Sequence, residues 1–261
     1  MKKLFLSVVI GLLVLIVAVM IGVGLFLGSI VKKGMETVGP KITQVSIKVD
    51  AVNLSLLSGS ARVKGLVVGN PQGYNTPQAI SVGSAAVGVN PLSVFSDKIV
   101  VRSVRVEAAE ITFEGNLGGN NLSKIMENVN AIAKSGGPVS TNTTAKAANE
   151  PGRKIEVDDL LITGAIVHVR LTGIGGGVMT LPLPDIHLTN LGKDSGGITA
   201  TDLTRLMLGA ITTATIKAVG SATTDISKGA GIWGKETGKA VDQDVNKITR
   251  KIGGLFKKTT N

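Results

Sequence analysis

Apolar and polar positions divide the chain into one long apolar run, a block of alternating segments and a tail with helical spacing. Leu4 to Val31 contains no charged residue. A helix needs about 20 apolar residues to cross a bilayer core, so this run is long enough to span with some tilt. A cleaved signal peptide has an apolar region of only ~7–15 residues before a small-residue cleavage site. Here the run is longer and ends in Gly28-Ser29-Ile30-Val31-Lys32-Lys33 without an Ala-x-Ala signature, which favours an uncleaved anchor over residues 1–33. Gly24 and Gly28 have the Gly-x-x-x-Gly spacing of helix-dimer seams, but glycine is common in membrane helices and the plain reading is preferred.

Beyond the anchor the period becomes two. Val45, Ile47, Val49 and Ala51 alternate with Ser46, Lys48 and Asp50, the pattern of a half-buried strand. Further strands are predicted at 61–69, 80–89, 99–107, 110–114, 155–162 and 165–172, and one or two over 178–191. Turn chemistry at Ser58-Gly59-Ser60 and Asn70-Pro71-Gln72-Gly73 supports short connections and antiparallel pairing. Pro182 and Pro184 push the last strands towards a sheet edge. Leu122, Ile125, Met126, Val129 and Ile132 share one face of a helix, and Leu203, Leu206, Met207, Ala210, Ile211 and Ala214 one face of another, with Thr201 or Asp202 as its N-cap. Residues 135–152 lack an apolar period and read as a flexible linker. A last amphipathic stretch sets Ile226, Trp233, Val241, Val245, Ile248 and Ile252 against a lysine- and arginine-rich face. Its frequent glycines favour a helix packed on a partner over one lying alone in a membrane interface. The expected fold is α+β, mainly antiparallel β: an N-terminal transmembrane helix, a β-rich body over 34–134 and 153–200, packed amphipathic helices and a basic helical C-terminus over 201–261.

Charge sharpens this picture. The chain has 261 residues and a formal net charge of +10, but residues 34–220 are close to neutral, with the basic excess at the two ends. A nucleic-acid binder concentrates Lys and Arg on its folded body beside aromatics that stack bases. This chain is 3% aromatic, so nucleic acid is not an expected partner. Lys32, Lys33, Arg250, Lys251, Lys257 and Lys258 instead suit anionic lipid headgroups. Basic residues flank both sides of the apolar run, so the positive-inside rule leaves its orientation open.

Catalytic chemistry finds little material. There is no cysteine and there are two histidines, which removes disulfides, thiolate metal sites and cysteine nucleophiles, and no cofactor is expected. The stretch Gly229-Ala230-Gly231-Ile232-Trp233-Gly234-Lys235-Glu236 nearly spells a phosphate loop but puts Glu236 where a hydroxyl must meet magnesium. Gly173-Ile174-Gly175-Gly176-Gly177 has no helix behind it and reads as a turn. Asp158 and Asp159 point to opposite faces of a strand, and His187 has Asp185 two residues away without a nucleophile, so both are read as structural or solvated. The chain is therefore not expected to be an enzyme.

One set of residues is more specific. Gly65-Leu66-Val67-Val68-Gly69-Asn70-Pro71-Gln72-Gly73-Tyr74, then Asn90-Pro91-Leu92-Ser93-Val94-Phe95-Ser96-Asp97-Lys98-Ile99-Val100-Val101, then Ile111, Phe113, Glu114 and Asn121-Leu122 together resemble a short member of the AsmA-like family of envelope proteins. Leu181-Pro182-Leu183-Pro184-Asp185-Ile186-His187-Leu188-Thr189-Asn190-Leu191-Gly192 is similar to a later segment of small members. The long β arrays of large members are absent, and Asn90 stands where the pattern usually has an acidic residue. The resemblance implies an inner-membrane anchor, a periplasmic β-rich body and a role in envelope lipid homeostasis, large relatives being thought to carry phospholipid along a curved sheet. Val45, Ile47, Val49, Val87, Val89, Ile99 and Val101 are the candidates for an apolar, lipid-facing surface. Eight or nine strands at ~4.8 Å give a surface on the order of 40 Å, one bilayer rather than a gap between two. Two readings compete: a groove that binds or transfers phospholipid or another acyl lipid, and a structural or adaptor protein with a filled core and envelope protein partners.

Overall fold

The computed structural model describes residues 2–55, 58–135, 153–171 and 178–230. The expected linker at 135–152 lies almost wholly outside these residues, as do 173–177 and everything beyond 230, including Arg250, Lys251, Lys257 and Lys258. Helix α1 runs from Lys2 to Thr43, well past the apolar run. Ten strands form one sheet: β1 (Ile47–Lys48), β2 (Ala51–Ser55), β3 (Ser60–Gly69), β4 (Gln78–Val89), β5 (Lys98–Glu107), β6 (Glu110–Gly115), β7 (Lys154–Thr163), β8 (Ile166–Leu171), β9 (Val178–Pro182) and β10 (Ile186–Leu191). Helix α2 (Asn121–Lys134) follows β6, and α3 (Ala200–Ala230) follows β10.

Ten strands make only six rows. β1 and β2 both pair with β3, and β3 pairs with β4. The far side of β4 pairs with β5 at one end and β6 at the other. β7 and β8 then continue the sheet beside β5 and β6, and β10 and β9 close it. The sheet is mostly antiparallel, as expected, but the β5–β7 and β6–β8 pairs are parallel, so it is mixed rather than wholly antiparallel. Between β6 and β7 the chain passes through α2 and the segment that follows, long enough for the crossover that a parallel pair requires. The two parallel rows bend together. Ala108 (φ 51°) and Gly164 (φ 60°) both take left-handed backbone, and hydrogen bonds from Ala108 N to Thr163 O (3.0 Å) and Ile166 N to Ala109 O (2.9 Å) carry the ladder through the bend.

The strand expected from Val45 to Ala51 is broken in two. At the break the Val49 N–H donates to Glu36 Oε1 (3.0 Å) and Lys32 Nζ donates to the Asp50 carbonyl (3.0 Å), so two side chains of α1 satisfy backbone groups the sheet leaves unpaired. Lys32 is therefore committed to packing α1 on the sheet edge, whereas Lys33 is exposed.

The three described α-helices share one hydrophobic cluster with a single face of the sheet. Ile42 of α1, Leu122, Ile125, Met126 and Val129 of α2, and Leu206, Leu208, Ile211, Ile216 and Val219 of α3 are buried with Ile80, Ile111, Phe113, Leu160, Val167 and Val169. Asn120 caps α2 by accepting from Ser123 N (2.9 Å). The cap of α3 is Thr199, whose Oγ1 accepts from Asp202 N (3.0 Å), two or three residues earlier than the sequence suggests. Residues 200–224 are apolar and long enough to cross a membrane, but their buried face packs against α2, β7, β9 and β10 as a core helix does.

Candidate functional site

The motif residues converge on one polar knot. Glu114, on β6, is 4% exposed. Its carboxylate accepts from Asn75 N (2.6 Å), Asn75 Nδ2 (3.1 Å), Thr76 N (2.9 Å) and Thr76 Oγ1 (2.6 Å). Asn121, at the start of α2, accepts from Glu114 N (3.0 Å) and donates to Thr112 O (2.7 Å) and Asn70 Oδ1 (2.8 Å). Asn70 Nδ2 in turn donates to Thr76 O (2.9 Å) and Thr76 Oγ1 (2.5 Å). Burial raises the Glu114 pKa, but the four donors from Thr76 and Asn75 outweigh burial and hold it below the ordinary carboxylate value. The knot fastens the β3–β4 connection to β6 and to the first turn of α2. Its chemistry is structural: every hydrogen-bonding group named is engaged within it.

A second region lies on the helix-facing side of the sheet. Helix packing concentrates at the flanks, with α1 over β1 and β2, α2 over β6, and α3 over β7, β9 and β10. Between them Ala61, Val63, Val87, Val89, Val101 and Val104 form a half-buried aliphatic strip. The register aligns Ala61 with Val87 and Val104, and Val89 with Val101. Of the residues expected to face lipid, Val87, Val89 and Val101 stand on this strip, and Ile99, half-buried, continues β5 beside Ile155. Val45 and Val49, at 6% and 2% exposure, are sealed in the interior and leave the open surface. Ile47 sits beneath α1, where a Cβ on Gly39 would approach its Cδ1 to 2.5 Å. The reason is that α1 continues past the apolar run and folds its last turns over β1. Ala61, Val63 and Val104 join the strip although the sequence did not single them out. The signal for Ala61 and Val63 was the same alternation, read one strand further, whereas Val104 falls out of phase with Ile99 and Val101 because the register shifts at Gly88/Val89.

The AsmA family model matches residues 1–172, which spans α1 through β8 and includes both the knot and the strip. The chain belongs to the AsmA family. No curated protein matches it. The AsmA family is associated with the bacterial envelope and is not known for enzymatic activity. The knot gives this AsmA chain a physical reason for the recognisable string of Asn70, Glu114 and Asn121: Asn121 bonds both of the others, and Thr76 joins Asn70 to Glu114.

On the opposite face of the AsmA sheet the charges around Asp159 and Glu156 are paired. Asp159 binds Arg105 and, through Oδ1, His187 Nε2 (2.5 Å). His187 therefore finds Asp159 on the neighbouring strand rather than Asp185 on its own. Hydrogen bonds from His187 and then Arg105 hold the Asp159 carboxyl below its ordinary pKa. Lys98 Nζ meets Glu156 Oε2 at 2.5 Å. Among the described residues no group of three or more His, Asp or Glu is arranged to hold a metal ion.

Proposed function

We propose that this AsmA protein is a single-pass inner-membrane protein with a periplasmic body that binds or hands on an acyl lipid, its aliphatic strip receiving a fatty chain. The observation that carries this reading is the run of half-buried Ala and Val between flanks that helices cover. Small aliphatic side chains make a smooth wall without polar groups to desolvate, which suits a chain that slides. Gly28 lies close against β2, so the helix from Leu4 to Leu27, about 36 Å at 1.5 Å per residue, is left to cross a core of about 30 Å. Ile10, Val14, Val23 and Phe26 on it are exposed, Phe26 by 66%, which supports lipid around them. With α1 docked on β2, the strip begins one row from the anchor and close to the bilayer surface.

The test is the lipid content of full-length protein purified in detergent. Mass spectrometry is expected to find retained phospholipid or another acyl lipid. Its absence after gentle extraction would overturn the reading. The adaptor alternative draws support from the filled flanks, where Val45 and Val49 leave no room.

A further inference from the structure

The sheet face turned away from the helices carries a cleft of about 550 Å³ across β2, β3, β4 and β5. Three cationic side chains line it, Arg62, Lys64 and Arg105, and among the described residues no acidic one does. Arg62 and Arg105 both stand in register with Ala86 on the strand between them, so their backbones are roughly 10 Å apart. The floor is bare: Ala86 and Gly88 lie along it, and a Cβ on Gly88 would come within 2.8 Å of Ser103 Oγ. Arg105 is a fixed wall, held by Asp159 and by donation from Nη1 to Val104 O (3.0 Å). Arg62 and Lys64 are exposed and have no ion-pair partner among the described residues. Arg105 already has its counterion in Asp159, whereas Arg62 and Lys64 are neighbouring cations without one, which repel each other and are stabilised by an anion beside them.

We infer that this cleft binds a phosphate-type oxyanion between Arg62, Lys64 and Arg105. Guanidinium forks match the oxygens of a phosphate group, and the hydroxyl of Ser103 adds a neutral donor on the floor. The phosphate belongs either to a lipid headgroup or to a free small molecule. Ala61 and Val87 of the aliphatic strip also border the cleft, but Arg62, Lys64 and Arg105 stand on the opposite side of the sheet, so the inference does not rest on the proposed function and fails separately from it.

Titration of the full-length, detergent-solubilised protein with inorganic phosphate, followed by calorimetry, tests it. Saturable binding is expected, weakened about tenfold or more by Arg62→Ala and by Lys64→Ala, with melting temperature unchanged because both side chains are exposed and unpaired. Competition by a short-chain phosphatidylglycerol below its micelle concentration assigns the site to a headgroup; binding of phosphate without that competition assigns it to a free phosphate compound. Absence of saturation, equal affinity for acetate, or variants that bind as the parent does would overturn the inference.

Discussion

Replacing Glu114 by Gln keeps the shape of the side chain but places an amide N–H among four donors. Asn75 and Thr76 donate to both carboxylate oxygens, so at least one of these groups loses its acceptor while buried. The expected cost is about 1–3 kcal/mol, measured by urea unfolding of wild type and Glu114→Gln. The pH dependence has a definite sign. The folded-state pKa of Glu114 lies below its ordinary value of 4.5, so its ionised form stabilises the fold above that value. This stability is lost as pH falls from about 4.5 through the depressed folded-state value. Glu114→Gln should lose less stability than wild type over that acid interval; parallel curves would show that the knot does not depend on the charge. The string of motif residues is visible in the sequence, but their meeting is not. Asn121 reaches Asn70 across 51 positions and Glu114 reaches Asn75 across 39, separations over which no local pattern carries information. His187 is similar: its near neighbour Asp185 was the local candidate, while the register of β10 on β7 places it beside Asp159.

At the scale of elements, hydrophobic period located β3 to β8, α2 and the start of α3 to within a few residues, because each buries one face against the same core. The antiparallel pairings were legible from the short turns, but the two parallel pairs were not, since they arise from a crossover whose path leaves no periodic trace in the strands themselves. The end of α1 was not legible either. Charge at Lys32 and Lys33 closes the apolar run, yet the helix continues to Thr43 because Lys32 and Glu36 find partners on the sheet edge. Gly28 acquires its reason there. A Cβ at this position would lie 2.1 Å from the Val52 carbonyl oxygen, so Gly28→Leu should push α1 off β2 and cost about 1–3 kcal/mol. Gly22, with nothing within 4 Å of its added Cβ, is the control: Gly22→Leu should leave the denaturation midpoint unchanged. Equal behaviour of the two variants would contradict the docking of α1.

For the whole molecule, collinear strands change the dimension that matters. Six rows at ~4.8 Å make a sheet about 24 Å wide, shorter than the 40 Å surface that counting strands suggested. One copy therefore presents a short patch beside α1, well under the span of a space between membranes. Envelope association follows from the AsmA family, while the proposed lipid handling rests on the half-buried strip between flanks that the described helices cover. Site-specific photocrosslinking in intact bacterial membranes tests that strip most directly. A photoreactive residue at Val104 is expected to capture acyl lipid, and one at Thr189, on the opposite face and away from the cationic cleft, is expected to capture none. Capture of protein segments alone at Val104, or lipid in equal yield at both positions, would contradict the account.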